Sequence, residues 1–306
     1  MTPLPDLSLG FAGIHLTNPV IAASGTFGYG EEFERFNDLR RIGGISVKGT
    51  SARPMEGNQP PRICPTPSGM LNSIGLENVG VDSFIRDKMP FLRKIGCAVF
   101  VNVFGFTEDE YVEVVDKLNE CEGIAAYELN ISCPNTERGG MVFGQNPSLT
   151  HQLTKRLKAR ARRPIIVKLS PNVTDIAEFA HAAEDAGADA LTVANTFLAM
   201  AIDTDTFKPR IHTTTGGLSG PAIRPITLRM VYQCARAVKI PIIGLGGIAT
   251  GEDAVEYFLA GASAVQVGTA NFYDPRAPLN VIEGLEKFLK KRGMSSTSEL
   301  VGRMRL

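Results

Sequence analysis

The sequence predicts an α/β fold, a single (β/α)8 TIM barrel in which residues 1–306 form one domain. Eight short apolar runs alternate with longer stretches whose apolar residues recur at helical spacing. Most runs are rich in β-branched residues and almost continuously apolar, as expected for parallel strands that are buried on both faces. Eight strand–helix units in a chain of this length indicate a closed barrel. The predicted strands cover residues 19–23, 45–48, 97–103, 127–131, 165–169, 190–194, 241–245 and 264–267.

Helical patterns separate most of these strands. Gly187 and Gly261 follow two of the patterns, and a glycine at that point typically ends a helix before the next strand. The alternative fold is a doubly wound open sheet, which usually carries a GxGxxG fingerprint after its first strand. The segment 25–30 reads GTFGYG and lacks that spacing, so the barrel is favoured. The predicted helices cover residues 109–119, 148–162, 175–186, 227–238, 252–260 and 279–290.

Three segments are too long and too polar to be ordinary turns between a strand and a helix. They cover residues 53–78, 136–147 and 196–221, and they follow the second, fourth and sixth predicted strands. Because the loops after barrel strands lie at the C-terminal face, we expect inserted loops over that face. Long loops inside a compact domain usually serve function, and the glycine-rich segment 136–147 is expected to act as a lid.

The composition argues against several functional classes. Lys plus Arg and Asp plus Glu each number 32, so no basic excess indicates nucleic-acid binding. No apolar run reaches the roughly 18 residues that span a bilayer, and the first residues lack the pattern of a signal peptide. The 5 cysteines form no CxxC pair, and the 4 histidines show no metal-binding or triad spacing. We therefore expect a cytoplasmic protein with reduced thiols, no resident metal and no membrane contact.

Polar or glycine residues occur at the C-terminal ends of all eight predicted strands, where the active sites of such barrels lie. A barrel with only a structural role does not require this pattern. The residues are Ser24, Lys48 with Gly49, Asn102, Asn130 with Cys133, Lys168, Asn195 with Thr196, Gly246 with Gly247, and Gly268 with Thr269.

Lys168 interrupts an apolar strand, IIVKLSP, that should be buried on both faces. A buried lysine is unfavourable unless a negative charge is paired with it, although the side chain could instead extend to water at the strand end. Within a site it could form a Schiff base or stabilise a developing anion. The pairs Gly246–Gly247 and Gly268–Thr269 follow the last two strands, the usual phosphate position of these barrels, although they could also be plain turns.

The segment YELNISCPN places a thiol between two amides where the fourth predicted strand ends. Asn130 and Asn135 each offer a hydrogen-bond donor and an acceptor, and the thiol of Cys133 can take up or release a proton. A cysteine is more often a small core residue, but its place before a Pro–Asn turn and a glycine-rich segment favours catalysis. The cluster is suited to a flat, polar ring that must lose a proton.

Motifs spread over essentially the whole chain resemble those of the dihydroorotate dehydrogenase family, flavin enzymes of pyrimidine synthesis. Cysteine rather than serine in SCPN resembles the soluble class 1 enzymes. The stretches TPSGMLNSIGLEN and SGPAIRPITLRMVYQ are most similar to the NAD-linked class 1B catalytic subunit. The motifs are NPVIAASGTFGYG, SVKGT, NSIGLEN, ELNISCPN, VKLSPN, VANT, TGGLSGPAIRP, GLGGI and QVGTA.

The resemblance implies oxidation of (S)-dihydroorotate to orotate in the de novo synthesis of UMP. One FMN per chain would accept the hydride at N5, Cys133 would accept the C5 proton, and Lys168 would stabilise charge at the flavin N1–O2 edge. Electrons would pass to NAD through a partner subunit that carries FAD and a 2Fe-2S cluster. A homodimer core with that electron-transfer subunit would form a heterotetramer.

The resemblance also assigns site residues to two groups. Ala194 stands where relatives often have valine, a difference that a backbone contact would tolerate. The implied FMN contacts are Ser24, Lys48, Gly49, Asn102, Asn130, Lys168, Ala194, Gly220, Gly246, Gly247, Gly268 and Thr269. The implied substrate contacts are Lys48, Asn72, Ser73, Ile74, Gly75, Leu76, Asn130, Asn135, Asn195 and Thr196.

Four alternative functions are compatible with the sequence. Class 1A relatives pass electrons to fumarate as homodimers, and dihydropyrimidine dehydrogenase shares a similar flavin domain but reduces neutral pyrimidines. A Schiff-base aldolase could use Lys168 on the same barrel. A non-catalytic FMN electron carrier is a fourth interpretation, which the positioned acid–base group at Cys133 disfavours.

Overall fold

The fold is a closed barrel of eight parallel strands, seen in a computed structural model that describes residues 5–131 and 143–305. Each strand pairs with the strands that precede and follow it in the chain, and the eighth pairs with the first. The predicted (β/α)8 architecture is therefore confirmed, and every barrel strand overlaps its predicted run. In chain order the strands are Val20–Ala22, Gly44–Ser46, Ala98–Val103, Ala126–Asn130, Ile165–Lys168, Ala190–Val193, Ile242–Leu245 and Ala264–Val267.

Helices surround the barrel, and four of the α-helices begin at a residue whose side chain caps them. Thr107, Asn146, Asp175 and Thr250 each accept a hydrogen bond from a backbone N–H in the first turn of the helix that follows. Such caps satisfy N–H groups that have no partner inside the helix. The α-helices are Gly80–Ser83, Met89–Leu92, Glu108–Asn119, Pro147–Lys158, Ile176–Asp185, Arg224–Ala237, Gly251–Ala260, Ala270–Tyr273 and Ala277–Arg292, with a π-helix at Phe84–Lys88 and 3-10 turns at Glu31–Phe33, Leu39–Arg41, Phe143–Gln145, Pro221–Ile223 and Thr297–Glu299.

One helical prediction needs correction, and one helical stretch was not predicted. The helix predicted over residues 148–162 ends at Lys158, because the chain must leave the helix before Pro164 and enter the next strand. A residue that precedes proline is disfavoured in the helical conformation, so Arg163 could not have extended the helix. The helical stretch 80–92 was not predicted, since Pro90 and its mixed polar spacing obscured the pattern.

Two of the predicted inserted loops are not loops throughout, because they pair with each other over the barrel. They supply a four-stranded antiparallel sheet, which we call the cover sheet. Gly217 pairs with Asn72 across 145 positions of sequence, a contact that local patterns cannot reveal. In spatial order the cover-sheet strands are Phe197–Met200, Thr215–Ser219, Gly69–Asn72 and Ile63–Thr66, and a short ribbon pairs Ile202–Asp203 with Lys208–Pro209.

An N-terminal hairpin, Leu9–Phe11 paired with Ile14–Leu16, closes the other mouth of the barrel. Phe11 and Leu16 are fully buried and pack in one cluster with strand residues that include Phe100 and Ile243. Sequence patterns did not predict this hairpin, since each strand has only three residues. With this end sealed by apolar side chains, the opposite, C-terminal mouth is left to hold a site.

The longest helix within residues 5–131 and 143–305, Ala277–Arg292, has 16 residues. No helix in these ranges is long and apolar enough to cross a bilayer.

The helices Gly251–Ala260 and Ala277–Arg292 touch through two glycines, and this contact gives a prediction about stability. A methyl group on Gly284 would lie 2.8 Å from Gly251 Cα, too close for undistorted packing. In an unpacked helix interior, glycine to alanine stabilises by about 1 kcal/mol. Here Gly284→Ala should instead lower the free energy of unfolding by about 1–3 kcal/mol, because the helices must separate.

Urea unfolding followed by circular dichroism measures this effect. Lys287→Ala, an exposed change in the same helix, is the matched control and should alter stability by less than about 0.5 kcal/mol. Increased stability in Gly284→Ala would contradict the close approach of the two helices.

Candidate active site

A cleft of about 1350 Å³, counted with its open mouth, lies at the C-terminal end of the barrel beneath the cover sheet. It receives side chains or backbone from all eight barrel strands or the turns that follow them. Every predicted site residue that the structure describes lines it, with the exception of Ser73. These residues are Ser24, Lys48, Gly49, Asn72, Ile74, Gly75, Leu76, Asn102, Asn130, Lys168, Ala194, Asn195, Thr196, Gly220, Gly246, Gly247, Gly268 and Thr269.

Ser73 is the one predicted contact that the described structure places away from the cleft. Its hydroxyl accepts a hydrogen bond from Asn58 Nδ2 at 2.9 Å and another from Thr213. Only 1% of the residue is exposed, and it ties the segment after the strand Gly69–Asn72 to the rest of the cover-sheet region. Ser73 therefore supports its neighbours from behind, because alternate residues of an extended segment face opposite sides.

Cys133 and Asn135 lie outside the described residues, as does the part of the predicted lid that covers residues 136–142. Their roles stay predictions. The described flank of this segment ends at Ile131 and resumes at Phe143, whose carbonyl accepts a hydrogen bond from Thr150.

The floor of the cleft rests on a buried polar group that the sequence patterns did not single out. Glu128 is 0% exposed in the middle of the fourth strand, and its carboxylate accepts four side-chain hydrogen bonds. Glu128 and these four donors, together with Lys168, form what we call the Glu128 cluster. The donors are Ser46 Oγ (2.8 Å) and Asn102 Nδ2 (2.7 Å) on Oε2, and Thr192 Oγ1 (2.9 Å) and Gln266 Nε2 (2.7 Å) on Oε1.

Lys168 is paired in the interior and does not extend to water. It is 3% exposed, its Nζ lies 3.8 Å from Glu128 Oε2, and it donates to Ser24 Oγ at 3.1 Å. Burial opposes ionisation of Glu128 most strongly, but Lys168 and the hydrogen bonds from the cluster outweigh it. The pKa of the Glu128 carboxyl therefore lies below its ordinary value of 4.5.

The residues missed at the floor of the cleft carried a visible signal. Glu128 and Gln266 interrupt apolar strand runs in the same way as Lys168 does, as YELN and AVQV show. Each side chain would be unfavourable alone in a barrel interior, so three such interruptions on different strands indicate a shared polar cluster. Because these three residues are far apart in sequence, no local pattern shows that they contact each other.

Amide side chains line one wall of the cleft. Asn195 Nδ2 donates to Asn130 Oδ1 at 3.3 Å, and Asn195 Oδ1 accepts from the backbone N–H of Thr196 at 2.8 Å. The hydroxyl of Tyr111 donates to the Asn130 carbonyl at 2.7 Å and supports that strand end. Linked amides of this kind can read the donor and acceptor pattern of a polar ring.

A second charged group lies at the cleft wall that faces the cover sheet. Lys48 Nζ is 3.8 Å from Glu77 Oε2, which also accepts from Arg62 at 2.8 Å. Glu77 was not among the predicted site residues, although it lines the cleft. Two cations around one carboxylate leave a local positive charge, which favours an anionic ligand group.

Glycine-rich turns form the opposite end of the cleft. Gly247 has a φ of +69°, and a methyl group on it would lie 2.8 Å from the Gly220 carbonyl oxygen, so the turn requires glycine. Tyr257 donates to the Gly246 carbonyl at 2.6 Å and holds this turn from below. Thr269 Oγ1 donates to Ser219 Oγ at 2.8 Å across the same end. An adjoining cavity of about 500 Å³ shares Gly220, Gly247 and Thr269 with the cleft.

Within the described residues, 5–131 and 143–305, potential metal ligands do not form a cluster. His, Cys, Asp and Glu form no group of three there that is placed to bind an ion.

Comparison with known proteins places nearly the whole chain in one family. The family profile described as dihydroorotate dehydrogenase matches residues 6–289. A protein of Solibacter usitatus (strain Ellin6076), provisionally named dihydroorotate dehydrogenase A (fumarate), is 56% identical over 301 residues, or 98% of this chain and 99% of that one. Proteins of Geotalea uraniireducens and Geobacter sulfurreducens, each named dihydroorotate dehydrogenase B (NAD(+)), catalytic subunit, are each 54% identical over 298 residues, or 97% of this chain and 98% of theirs.

The Glu128–Lys168 pair predicts how stability depends on pH. Glu128→Gln should lower the free energy of unfolding at pH 7 by about 3–5 kcal/mol, because it leaves Lys168 as a buried charge without its partner. Since the folded pKa of Glu128 lies below 4.5, its contribution is complete above pH 4.5 and decreases as the pH falls through the folded value. The difference between variant and wild type should therefore shrink progressively below pH 4.5.

Urea unfolding of the two proteins at a series of pH values measures this difference. Glu120→Gln provides the control, since Glu120 pairs with Arg162 at the surface with a side chain that is 70% exposed, and it should change stability little at any pH. A difference between Glu128→Gln and wild type that stays constant from pH 7 to below pH 4 would contradict an ionised, stabilising Glu128.

Proposed function

This chain belongs to the dihydroorotate dehydrogenase family, and we propose that it oxidises (S)-dihydroorotate to orotate with FMN, as a cytoplasmic enzyme of de novo pyrimidine synthesis. The observation that carries the proposal is the placement of Lys168. A buried, counter-charged ammonium stands at the floor of a cleft with amides on one wall and glycine turns at the far end. We further propose that residues 1–306 act as a single FMN-binding domain.

The residues of the cleft fit an elongated group with a flat ring and an anionic tail. Gly268 has ordinary backbone geometry, and a methyl group on it would meet only Ala23, Leu245 and Thr26, at 3.6 Å or more. Protein packing therefore does not require glycine at this position, whereas a closely approaching ligand would. At Gly25 nothing lies within 4 Å of the position that a side-chain Cβ would take, so this side of the cleft is also open. These two positions form a cradle that side chains would otherwise fill.

FMN, when bound, supplies a two-electron acceptor that takes a hydride at N5. The turns at Gly220, Gly246–Gly247 and Gly268–Thr269 would hold its phosphate, the usual role of this end of such barrels. Lys168 would stabilise negative charge at the N1–O2 edge of the ring. The remaining implied contacts, from Ser24, Lys48, Gly49, Asn102, Asn130 and Ala194, line the cleft between these two ends.

The substrate would lie against the amide wall. Dihydroorotate carries ring amides and one carboxylate, and Asn72, Asn130 and Asn195 offer both donors and acceptors to such a ring. Lys48 would complement the carboxylate, and the proposed contacts Ile74 through Leu76 and Thr196 line the same region. Asn135 completes the proposed set from the sequence.

Cys133 is the proposed general base. Oxidation removes a proton from C5 and a hydride from C6, so a group that accepts the proton must face the ring. A thiolate is the reactive form of cysteine. The reaction should therefore speed up with pH until Cys133 is ionised.

We propose NAD as the final oxidant, reached through a partner subunit that holds FAD and a 2Fe-2S cluster. The names of the B-type relatives support this proposal, since they describe a catalytic subunit and NAD(+). No CxxC pair is present in the chain, so a cluster would have to be carried elsewhere. The proposed assembly is a heterotetramer with a homodimeric core of this chain. Direct fumarate reduction is the second candidate, because a relative of 56% identity is provisionally named for it.

The pairing of Lys168 disfavours a Schiff-base aldolase. A Schiff-base lysine must be free to attack a carbonyl carbon, whereas Lys168 is 3% exposed, donates to Ser24 Oγ and lies 3.8 Å from the Glu128 carboxylate. The same pairing suits stabilisation of a developing anion.

Anaerobic titration with substrate tests the proposed activity. The purified protein should bind one FMN per chain, and (S)-dihydroorotate should bleach its absorption near the flavin maximum within a single turnover. Dihydrouracil serves as the control ligand, because it can donate a hydride but lacks the carboxylate that Lys48 would complement. If fumarate alone oxidises the reduced protein without a partner subunit, fumarate replaces NAD as the proposed oxidant. A flavin that dihydroorotate leaves oxidised would overturn the proposal.

Cys133→Ala should retain FMN and orotate binding but slow flavin reduction by at least about a hundredfold, since general base catalysis contributes that much. Stopped-flow absorbance measures the rate. Cys121→Ala, at the other end of the barrel where the residue is 4% exposed, is the matched control and should reduce at the wild-type rate. An unchanged rate in Cys133→Ala would remove this thiol from the mechanism.

A further inference from the structure

We infer that Glu128 is a positioning residue for the flavin ring, acting through Lys168 and Asn102. Its carboxylate holds the Lys168 ammonium and turns the Asn102 amide, so that the floor of the cleft presents a cationic donor and a neutral acceptor side by side. The inference rests on the proposed function, since it concerns how the chain receives FMN.

Lys168 keeps hydrogen-bond donors for a ligand. The 3.8 Å between its Nζ and Glu128 Oε2 is too long for a hydrogen bond, and four other donors already occupy the carboxylate. An ammonium has three donor hydrogens, and within the described part of the chain Lys168 uses one of them, on Ser24. The charge is thus balanced while donor capacity stays directed at the cleft that Lys168 lines.

Glu128 also fixes the orientation of the Asn102 amide. An ionised carboxylate can only accept hydrogen bonds, so the group of Asn102 that faces Glu128 Oε2 at 2.7 Å must be the NH2. Its Oδ1 then lies on the side of Gly49, 3.3 Å from where a methyl group on that glycine would be. Both residues line the cleft, so Asn102 offers an acceptor to the ligand.

Lys168 and Asn102 together match one edge of the flavin. The pyrimidine part of the ring has acceptors at N1 and O2 beside a donor at N3–H, so the two side chains can serve neighbouring atoms. Reduction leaves negative charge at N1–O2, which the ammonium favours and the Glu128 carboxylate opposes. The reduction potential of the bound flavin therefore depends on both members of the ion pair.

Glutamine cannot replace Glu128 without a rearrangement. Each carboxylate oxygen receives an amide NH2, from Asn102 on Oε2 and from Gln266 on Oε1. A glutamine side chain has one acceptor oxygen and one NH2, so its NH2 would oppose one of these two donors. Either Asn102 or Gln266 must turn, and the change also removes the charge that offsets Lys168.

The experiment compares wild type with Glu128→Gln in two measurements on apoprotein reloaded with FMN. FMN affinity, from fluorescence quenching, should weaken in the variant. The midpoint potential at pH 6 should rise by about 30 mV or more, which corresponds to a tenfold shift in the preference for reduced over oxidised FMN. Glu120→Gln is the matched control, because it makes the same substitution in a surface pair with Arg162 outside the cleft, and its potential should equal that of wild type.

The outcomes separate this inference from the proposed function. Wild-type protein that fails to bind FMN overturns both. Wild-type protein that binds FMN, together with a Glu128→Gln potential equal to that of wild type, overturns this inference alone. If Glu128→Gln does not retain FMN, the coupling between the two residues is tested by urea unfolding of apoprotein. The variants compared are Glu128→Gln, Lys168→Met and the double variant. The double variant should lose less free energy of unfolding than the two single variants lose together. A loss equal to the sum of the two single losses would overturn the coupling.

Discussion

The buried ion pair between Glu128 and Lys168 is the constraint on which the rest of the site depends. Two charges inside a barrel are unfavourable unless their geometry and hydrogen bonds offset the loss of water. Here four side chains on four other strands donate hydrogen bonds to the Glu128 carboxylate. The register of the barrel strands brings these groups together. Asn102 is opposite Glu128 on the neighbouring strand, and Asn130 and Thr192 are opposite Lys168 on its two neighbours. A slip of one residue would turn these side chains to the other face.

The barrel is layered along its axis, and each layer has one task. An apolar plug built from the N-terminal hairpin closes one mouth around Phe11 and Leu16. The Glu128 cluster occupies the middle, and the cleft with its glycine turns and amides occupies the far end beneath the cover sheet. Because the plug excludes water from below, the cluster acts in a low-dielectric setting, where its charges influence a ligand most strongly. This arrangement explains how one fold gives both rigid support and a reactive cleft.

Local patterns in the sequence were sufficient for the barrel and for most of the cleft. Buried parallel strands are apolar over their full length, so the eight runs and a polar interruption such as Lys168 could be recognised. Features formed by residues that are distant in sequence could not be recognised in this way. The cover sheet joins Asn72 to Gly217, and Glu128 finds donors on four strands, which no local window contains. A motif also does not say which way alternate side chains face, and the Ser73 hydroxyl lies against Asn58, away from the cleft. The roles of Cys133 and Asn135 still rest on the sequence.

A crystal structure of the protein with FMN and orotate tests the central claim most directly. We expect Lys168 Nζ and Asn102 Oδ1 to lie within about 3.2 Å of neighbouring atoms on the pyrimidine edge of the flavin. Glu128 should retain its hydrogen bonds and its place beside Lys168. A flavin ring bound elsewhere, or Lys168 turned away from the ring into a direct hydrogen bond with Glu128, would contradict this claim.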